Sequence, residues 1–261
     1  MDHLTIIDAE TERFIEAVAA ASGEGPVPTC PDWTVDDLLW HLTEVHAFWA
    51  RILSSGARTD ADSEAVEADK PERPVERGQT VELLRAETAA LVAELRSRPD
   101  ADPAWSWFPP DQTVGFTRRM QVHEATMHRI DAELAAGLVS RPIEHEVASD
   151  GVSHAVEVML GWWGTNPGFE LRPVTGVVEL VASDGGRWLL QPGRWIGTGQ
   201  SGKTYDEPGV VLVADGEPAA SVTATADTLD RWLWGRGPEP EASGDQESLD
   251  ALRAAVAPGM Q

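Results

Sequence analysis

Apolar residues recur at intervals of three and four along four stretches in the first half of the chain, which is the spacing of helices with one buried face. These stretches cover residues 5–21, 34–55, 80–98 and 117–136. Thr34 and Thr80 are the expected N-caps of two of them. Residues 59–78 are acidic and interrupted by prolines, so we expect a long crossover there, either a flap over a site or, more simply, a mobile loop. Four helices with one long crossover predict a four-helix bundle.

The pattern changes after Gly137, where short runs rich in β-branched residues replace the helical spacing. After a connector at 138–150, we expect a helix over 152–163, strands over 176–182, 187–191, 210–214 and 221–225, and helices over 228–234 and 248–256. The tract at 235–244 is expected to be an exposed loop. The sequence therefore predicts an α+β protein of two domains, a helical bundle at 1–140 and an α+β domain at 150–261.

Charge and composition narrow the classes of partner. The chain has 20 Lys and Arg against 44 Asp and Glu, a net charge of −24, which argues against binding to nucleic acid or to anionic membranes. It has no apolar run of membrane-spanning length and no basic N-terminal region followed by an apolar core, so we expect a cytoplasmic protein. The single cysteine, Cys30, excludes an intrachain disulfide and a Cys-rich zinc site. A metal site would therefore use histidines and carboxylates.

Glu124 and His128 are the strongest candidates for such a site. They stand four residues apart in a helical stretch, so both lie on one face, one turn apart. A carboxylate oxygen and an imidazole nitrogen in this arrangement can hold zinc or another divalent metal. His123 does not join them, because a separation of five residues places it about 140° around the helix from His128. The simpler interpretation of an isolated pair is an exposed Glu–His contact.

His41 is the candidate for a third donor. It recurs with Leu38, Leu42 and Trp49 at spacings of three and four, so we expect it on the buried face of its helix. A histidine in that position is more often a hydrogen-bonded core residue than a metal ligand. The residue pattern alone leaves both interpretations open.

Several short motifs occur together in the first half of the chain. They are Cys30-Pro31-x-Trp33-Thr34-Val35-x-Asp37-Leu38, then His41-Leu42, then His123-Glu124-x-x-x-His128-Arg129-x-Asp131. The combination resembles the mycothiol-dependent maleylpyruvate isomerase family, and the likeness covers nearly the whole chain. It implies a DinB-like metal-binding four-helix bundle, followed by a C-terminal α+β domain similar to sterol carrier proteins.

The same resemblance implies a chemistry. His41, Glu124 and His128 take the positions of three zinc ligands, and the fourth position is left for water or substrate. The expected cofactors are therefore zinc, or another divalent metal, and the small thiol mycothiol. The expected reaction is isomerisation of a maleylpyruvate-like substrate or S-transfer to an electrophile. The C-terminal domain is expected to supply a catalytic arginine, for which Arg187 and Arg194 are the candidates.

Zinc would hold the thiol as a thiolate, which is the form that attacks electrophiles. No side chain is then needed as nucleophile, and Cys30, which precedes a proline at a helix entry, is expected to be dispensable. Asp131 or a backbone carbonyl can orient a ligand imidazole. The alternative is a non-catalytic module that binds a small molecule or a lipid and carries a structural metal. Three ligands without cysteine argue against that alternative, because closed structural zinc sites have four.

Overall fold

A computed structural model of the chain describes residues 1–199 and 201–260. The chain divides into two compact units, Met1–Arg141 and Pro142–Gln261. The first unit is helical and the second is built around a β-sheet, which confirms the predicted α+β class. No helix in the described part of the chain has both the length and the apolar character needed to span a membrane.

The first unit, all of whose residues are described, consists mainly of helices. They are α1 (His3–Ala20), α2 (Val35–Ser55), α3 (Asp60–Ala68), α4 (Arg77–Ser97) and α5 (Val114–Ala135). A short hairpin of β1 (Pro26–Val27) and β2 (Cys30–Thr34) joins α1 to α2. Each of α1 and α2 packs against both α4 and α5, so the four long helices enclose one apolar core.

Helix α2 begins at the position that the sequence predicts. Thr34 Oγ1 accepts a hydrogen bond from the Asp37 N–H (3.1 Å), and the Asp37 carboxylate accepts one from the Thr34 N–H (3.0 Å). This capping box satisfies backbone donors at the helix start. Gly56, at φ 73°, ends the helix in the left-handed conformation that glycine adopts without strain. Both ends of α2 are thus fixed, and with them the position of His41.

The crossover between α2 and α4 is not the mobile loop that we expected. Thr59 accepts a hydrogen bond from the Asp62 N–H, and the Asp62 carboxylate accepts one from the Thr59 N–H. This second capping box starts α3, and the prolines of the segment follow that helix instead of interrupting it. Most residues of α3 are exposed and many of them are acidic, which is why the composition suggested a loop.

Helix α4 begins earlier than expected. Its first residue is Arg77, whose guanidinium donates to the carbonyl oxygens of Val18 and Ala21 at the end of α1. Thr80, the expected cap, is instead buried within the helix. A contact with another helix thus sets this boundary, and local sequence does not reveal such a contact.

The second unit holds the strands. Its elements are α6 (His145–His154), a π-helical turn (Ala155–Leu160), a 3₁₀ turn (Trp162–Thr165), β3 (Phe169–Pro173), β4 (Val177–Ala182), β5 (Arg187–Thr198), β6 (Thr204–Val213), β7 (Pro218–Ala224), α7 (Ala226–Leu233), β8 (Glu241–Gly244) and α8 (Gln246–Val256). The long strand β5 pairs with β6 on one edge and with β4 and β3 on the other. Strand β7 runs parallel to β4, and β8 runs antiparallel to β7.

Several elements of this unit differ from expectation, among them β3 (Phe169–Pro173), which was not predicted, and β6, which begins at Thr204 instead of residue 210. Helix α6 begins at His145, inside the expected connector. Strand β5 continues through Pro192, where a proline suggested that the strand would end. Strand β8 lies in the expected loop at 235–244, and all four of its residues are exposed. An edge strand without a buried face has no apolar alternation from which it could be predicted.

A buried cation joins α1 to α5. Arg129 is fully buried, and its Nε donates to Glu10 Oε2 on α1 (2.7 Å). Its Nη1 donates to Glu133 Oε2 (2.8 Å) and to the carbonyl oxygen of Arg141 (2.7 Å). One guanidinium therefore holds two helices and the end of the first unit in place.

We expect the substitution Arg129→Leu to lower the free energy of unfolding by about 3–5 kcal/mol, because it removes the buried cation between Glu10 and Glu133 and leaves beside these carboxylates only the partly exposed Arg13 and Arg141. Urea denaturation followed by circular dichroism measures the change. Arg85→Leu is the control, since Arg85 pairs with Glu12 on the exposed surface, and it should have little effect. Equal losses from the two substitutions would contradict this account.

Candidate metal centre

Three side chains of the first unit converge between α2 and α5. His41 comes from α2, and Glu124 and His128 come from one face of α5. One donor atom from each residue lies within 4.8 Å of the others. Glu124 Oε1 is 3.3 Å from His41 Nε2 and 3.2 Å from His128 Nε2. We call these three residues the triad.

The triad is open on one side. The side chain of His128 is 3% exposed, whereas those of His41 and Glu124 are 29% and 21% exposed. His41 therefore lies at the partly exposed edge of the face that α2 packs against α5, and not on the buried face of α2 as we expected. His46, further along α2, has no exposed surface, and neither do its neighbours Thr43 and Ala47.

Two neighbours of the triad come from the β1–β2 hairpin and from α5. The ring of Trp33 lies 4.7 Å from the His41 ring and 6.3 Å from the His128 ring, centre to centre, so it forms a wall of the site. We had assigned no role to Trp33, although it stands directly before the cap of α2. Asp131 is fully buried, and its Oδ2 is 2.9 Å from Nδ1 of His128. The Thr29 hydroxyl donates to its Oδ1 (2.5 Å).

Asp131 orients His128 in the way that outer carboxylates orient histidine ligands of metals. With Nδ1–H donated to Asp131, the Nε2 of His128 faces Glu124. Burial opposes the charged form of His128, yet hydrogen bonds to Asp131 and Glu124 raise its pKa to about 9. Burial likewise opposes ionisation of Glu124, but hydrogen bonds from the two histidines hold its pKa well below its usual range.

These groups fit a divalent ion. A carboxylate and two imidazoles are the donors found at zinc sites that keep an open position. Without a metal, protonated His128 supplies part of the positive charge that a bound ion would supply. The residues that would bind the ion already lie together, and the hydrogen bond to Asp131 holds the imidazole of His128 in place.

The two arginine candidates lie in the second unit, on β5. Arg187 Nε donates to Glu179 Oε2 (2.8 Å), and Arg194 donates to the Asp206 carboxylate. Both arginines are exposed. These contacts are typical of ion pairs on a sheet surface, and a catalytic role for either arginine stays a prediction.

Two family models match the chain. The model of the mycothiol maleylpyruvate isomerase N-terminal domain matches residues 4–133, and that of the MDMPI C-terminal domain matches residues 146–251. No curated protein sequence matches the chain.

Two solved structures share its fold. A crystal structure of the mycothiol-dependent maleylpyruvate isomerase gives a TM-score of 0.62 at 13% identity, over 95% of this chain and 94% of that chain. A crystal structure of a histidine-to-alanine mutant of that enzyme gives 0.61 at 14% identity, with the same coverage. Together the family models span most of both units, and the chain therefore belongs to the mycothiol maleylpyruvate isomerase family.

Proposed function

We propose that this protein is a metal-dependent isomerase that uses a low-molecular-weight thiol, of which mycothiol is the candidate, on a maleylpyruvate-like substrate. The observation that carries the proposal is the convergence of His41, Glu124 and His128 within 4.8 Å. Membership of the family and the activity named for the similar crystal structures support the choice of thiol and reaction.

The triad is proposed to hold one divalent ion, with zinc as the first candidate. Two imidazoles and one carboxylate suit zinc. Three protein ligands leave the fourth coordination position of zinc for a small molecule. With neutral histidines, the site would carry about one net positive charge. A bound ion supplies the charge that keeps a thiol deprotonated at neutral pH.

The protein side chains supply the setting for that chemistry. Asp131 fixes the tautomer and orientation of His128. Trp33 covers the two imidazoles on one side, and an apolar wall strengthens electrostatic interactions within the site. Cys30 is buried, so it does not serve as the nucleophile in this proposal.

We expect His41→Ala and Glu124→Ala to lower thiol-dependent turnover of maleylpyruvate by more than about a hundredfold. Each substitution removes a proposed ligand, and the loss of a residue that only supports a ligand already costs up to about a hundredfold. Cys30→Ala is the matched control and should keep turnover near the wild-type value. Turnover is measured with purified mycothiol, and metal content is measured on the same samples.

The outcomes of that assay separate the alternatives. Loss of turnover in Cys30→Ala, with metal content and fold intact, would overturn the mechanism. Formation of a thiol conjugate without isomerised product would assign an S-transferase. Metal binding without any thiol-dependent turnover would assign the non-catalytic binding module.

A second prediction concerns pH. His128 must be neutral to bind a metal, and its pKa without metal is about 9, so binding displaces a proton. The apparent affinity for Zn²⁺ should therefore rise about tenfold per pH unit from about pH 7 and level off near pH 9. Competition with a chelator of known pH dependence measures this slope.

The control for the pH prediction is Asp131→Asn. This variant removes the buried negative charge that favours protonated His128, so its affinity should level off at lower pH than that of the wild type. An affinity for Zn²⁺ that does not change across this range in the wild type would contradict the prediction.

A further inference from the structure

A second group of polar side chains lies inside the bundle, next to the triad. Helices α2 and α5 run antiparallel. His41, near the start of α2, contacts Glu124 in the middle of α5, whereas the backbone N–H of Trp105, which precedes α5, donates to the carbonyl of Ala57, which follows α2 (3.0 Å). His46 lies about 7.5 Å further along α2 than His41 and about 140° around that helix, and its ring is still close enough to the triad for Glu124, His128 and His41 to act on its charge. Gln121 lies about 4.5 Å back along α5 from Glu124. His46 and Gln121 are fully buried, whereas His41 and Glu124 are partly exposed.

The side chains in this deeper layer are buried, and each has at least one polar atom without a partner. His46, Gln121 and Thr117 have no exposed surface. Among the residues that the structure describes, the Nε2 of His46, both amide atoms of Gln121 and the hydroxyl of Thr117 have no hydrogen-bond partner. Buried polar atoms are nearly always hydrogen-bonded in native proteins. Several unpaired atoms close together therefore indicate bound water or another small polar molecule.

The free nitrogen of His46 is an acceptor. Its Nδ1 lies 2.8 Å from Thr88 Oγ1. The single hydroxyl proton of Thr88 is donated to the Leu84 carbonyl (2.7 Å), so Nδ1 carries a proton and donates it to Thr88. Burial lowers the pKa of His46 to about 4, against the opposing influence of Glu124. The neutral ring therefore presents a lone pair on Nε2.

The layer is continuous with the triad along one face of α5. Thr117, Gln121, Glu124 and His128 follow at intervals of four, three and four residues, the spacing of a single helix face. Both triad imidazoles contact Oε1 of Glu124, which leaves Oε2 to a further donor. Oε2 and the Nε2 of His46 are both acceptors, and water can join them because it donates two hydrogen bonds.

We propose that ordered water occupies this layer and bridges His46 Nε2 and the Gln121 amide to Glu124, so that His46 and Gln121 are positioning residues for Glu124. The existence of the water layer does not depend on the proposed function. Its effect on metal binding rests on that function.

The sign of a stability change tests the water layer in the metal-free protein. Gln121→Met keeps the length of the side chain and removes its polar atoms. If water bridges the layer, this change leaves His46 and the water short of a partner, and we expect the melting temperature to fall by about 2–4 °C. In a dry layer, the same change removes an unpaired group and raises the melting temperature.

A double-mutant cycle adds a readout that a general packing defect does not produce. His46→Phe should also lower the melting temperature, and the double variant with Gln121→Met should lose less than the sum, because both ends of the bridge are then gone. Thr117→Val is a further test of the layer, and Thr126→Val is its matched control. The Thr126 hydroxyl donates to the Val122 carbonyl of its own helix (2.7 Å), so only Thr117→Val should couple to Gln121→Met.

Metal affinity and crystallography complete the test. Chelator competition should show Zn²⁺ binding about tenfold weaker in Gln121→Met and unchanged in Thr126→Val. A high-resolution crystal structure of the metal-free protein should show water between His46 and Gln121. A higher melting temperature for Gln121→Met, additive losses, or a cation in the layer would overturn the proposal. If the wild type binds no metal, the proposed function fails, and the stability cycle and the crystal structure still decide the water layer.

Discussion

The need to pair charges inside the bundle governs the first unit. Helix α5 buries Arg129, Asp131 and Glu133 and presents Glu124 and His128 beside them. An unpaired charge in such surroundings is strongly unfavourable, and three of the other elements contribute partners. Helix α1 supplies Glu10, the hairpin supplies Thr29 and α2 supplies His41. The arrangement of elements around α5 follows from this requirement as much as from apolar packing.

The fold class could be predicted from hydrophobic spacing because both kinds of element bury one face. The same rule explains the errors. Helix α3 has only Ser63 and Val66 buried, and β8 has no buried residue, so neither carries a periodic signal. The start of α4 depends on a contact between Arg77 and the end of α1, which is visible only in three dimensions.

The candidate site shows a similar division. The spacing of Glu124 and His128 predicts a shared helix face, and the structure shows it. Pattern alone misplaced His41, because an apolar stripe at spacings of three and four is wide enough that its edge and its centre look alike in sequence. The motif resemblance brought His41 to the pair, and no spacing rule does so across two helices. His46 was overlooked because its hydrogen bond to Thr88 joins two helices, and no local sequence pattern reveals such a contact.

The hydrogen bond from Thr29 to Asp131 has a consequence for motion. Asp131 is shared between the hairpin and His128, so a ligand that fixes the imidazole also removes freedom from the segment at residues 26–34. Filling of the site would then appear as slower exchange of the hairpin amides with solvent, some residues away from any coordinating atom. The loop before α2 would thus report occupancy of the site through local rigidity, without a change of fold.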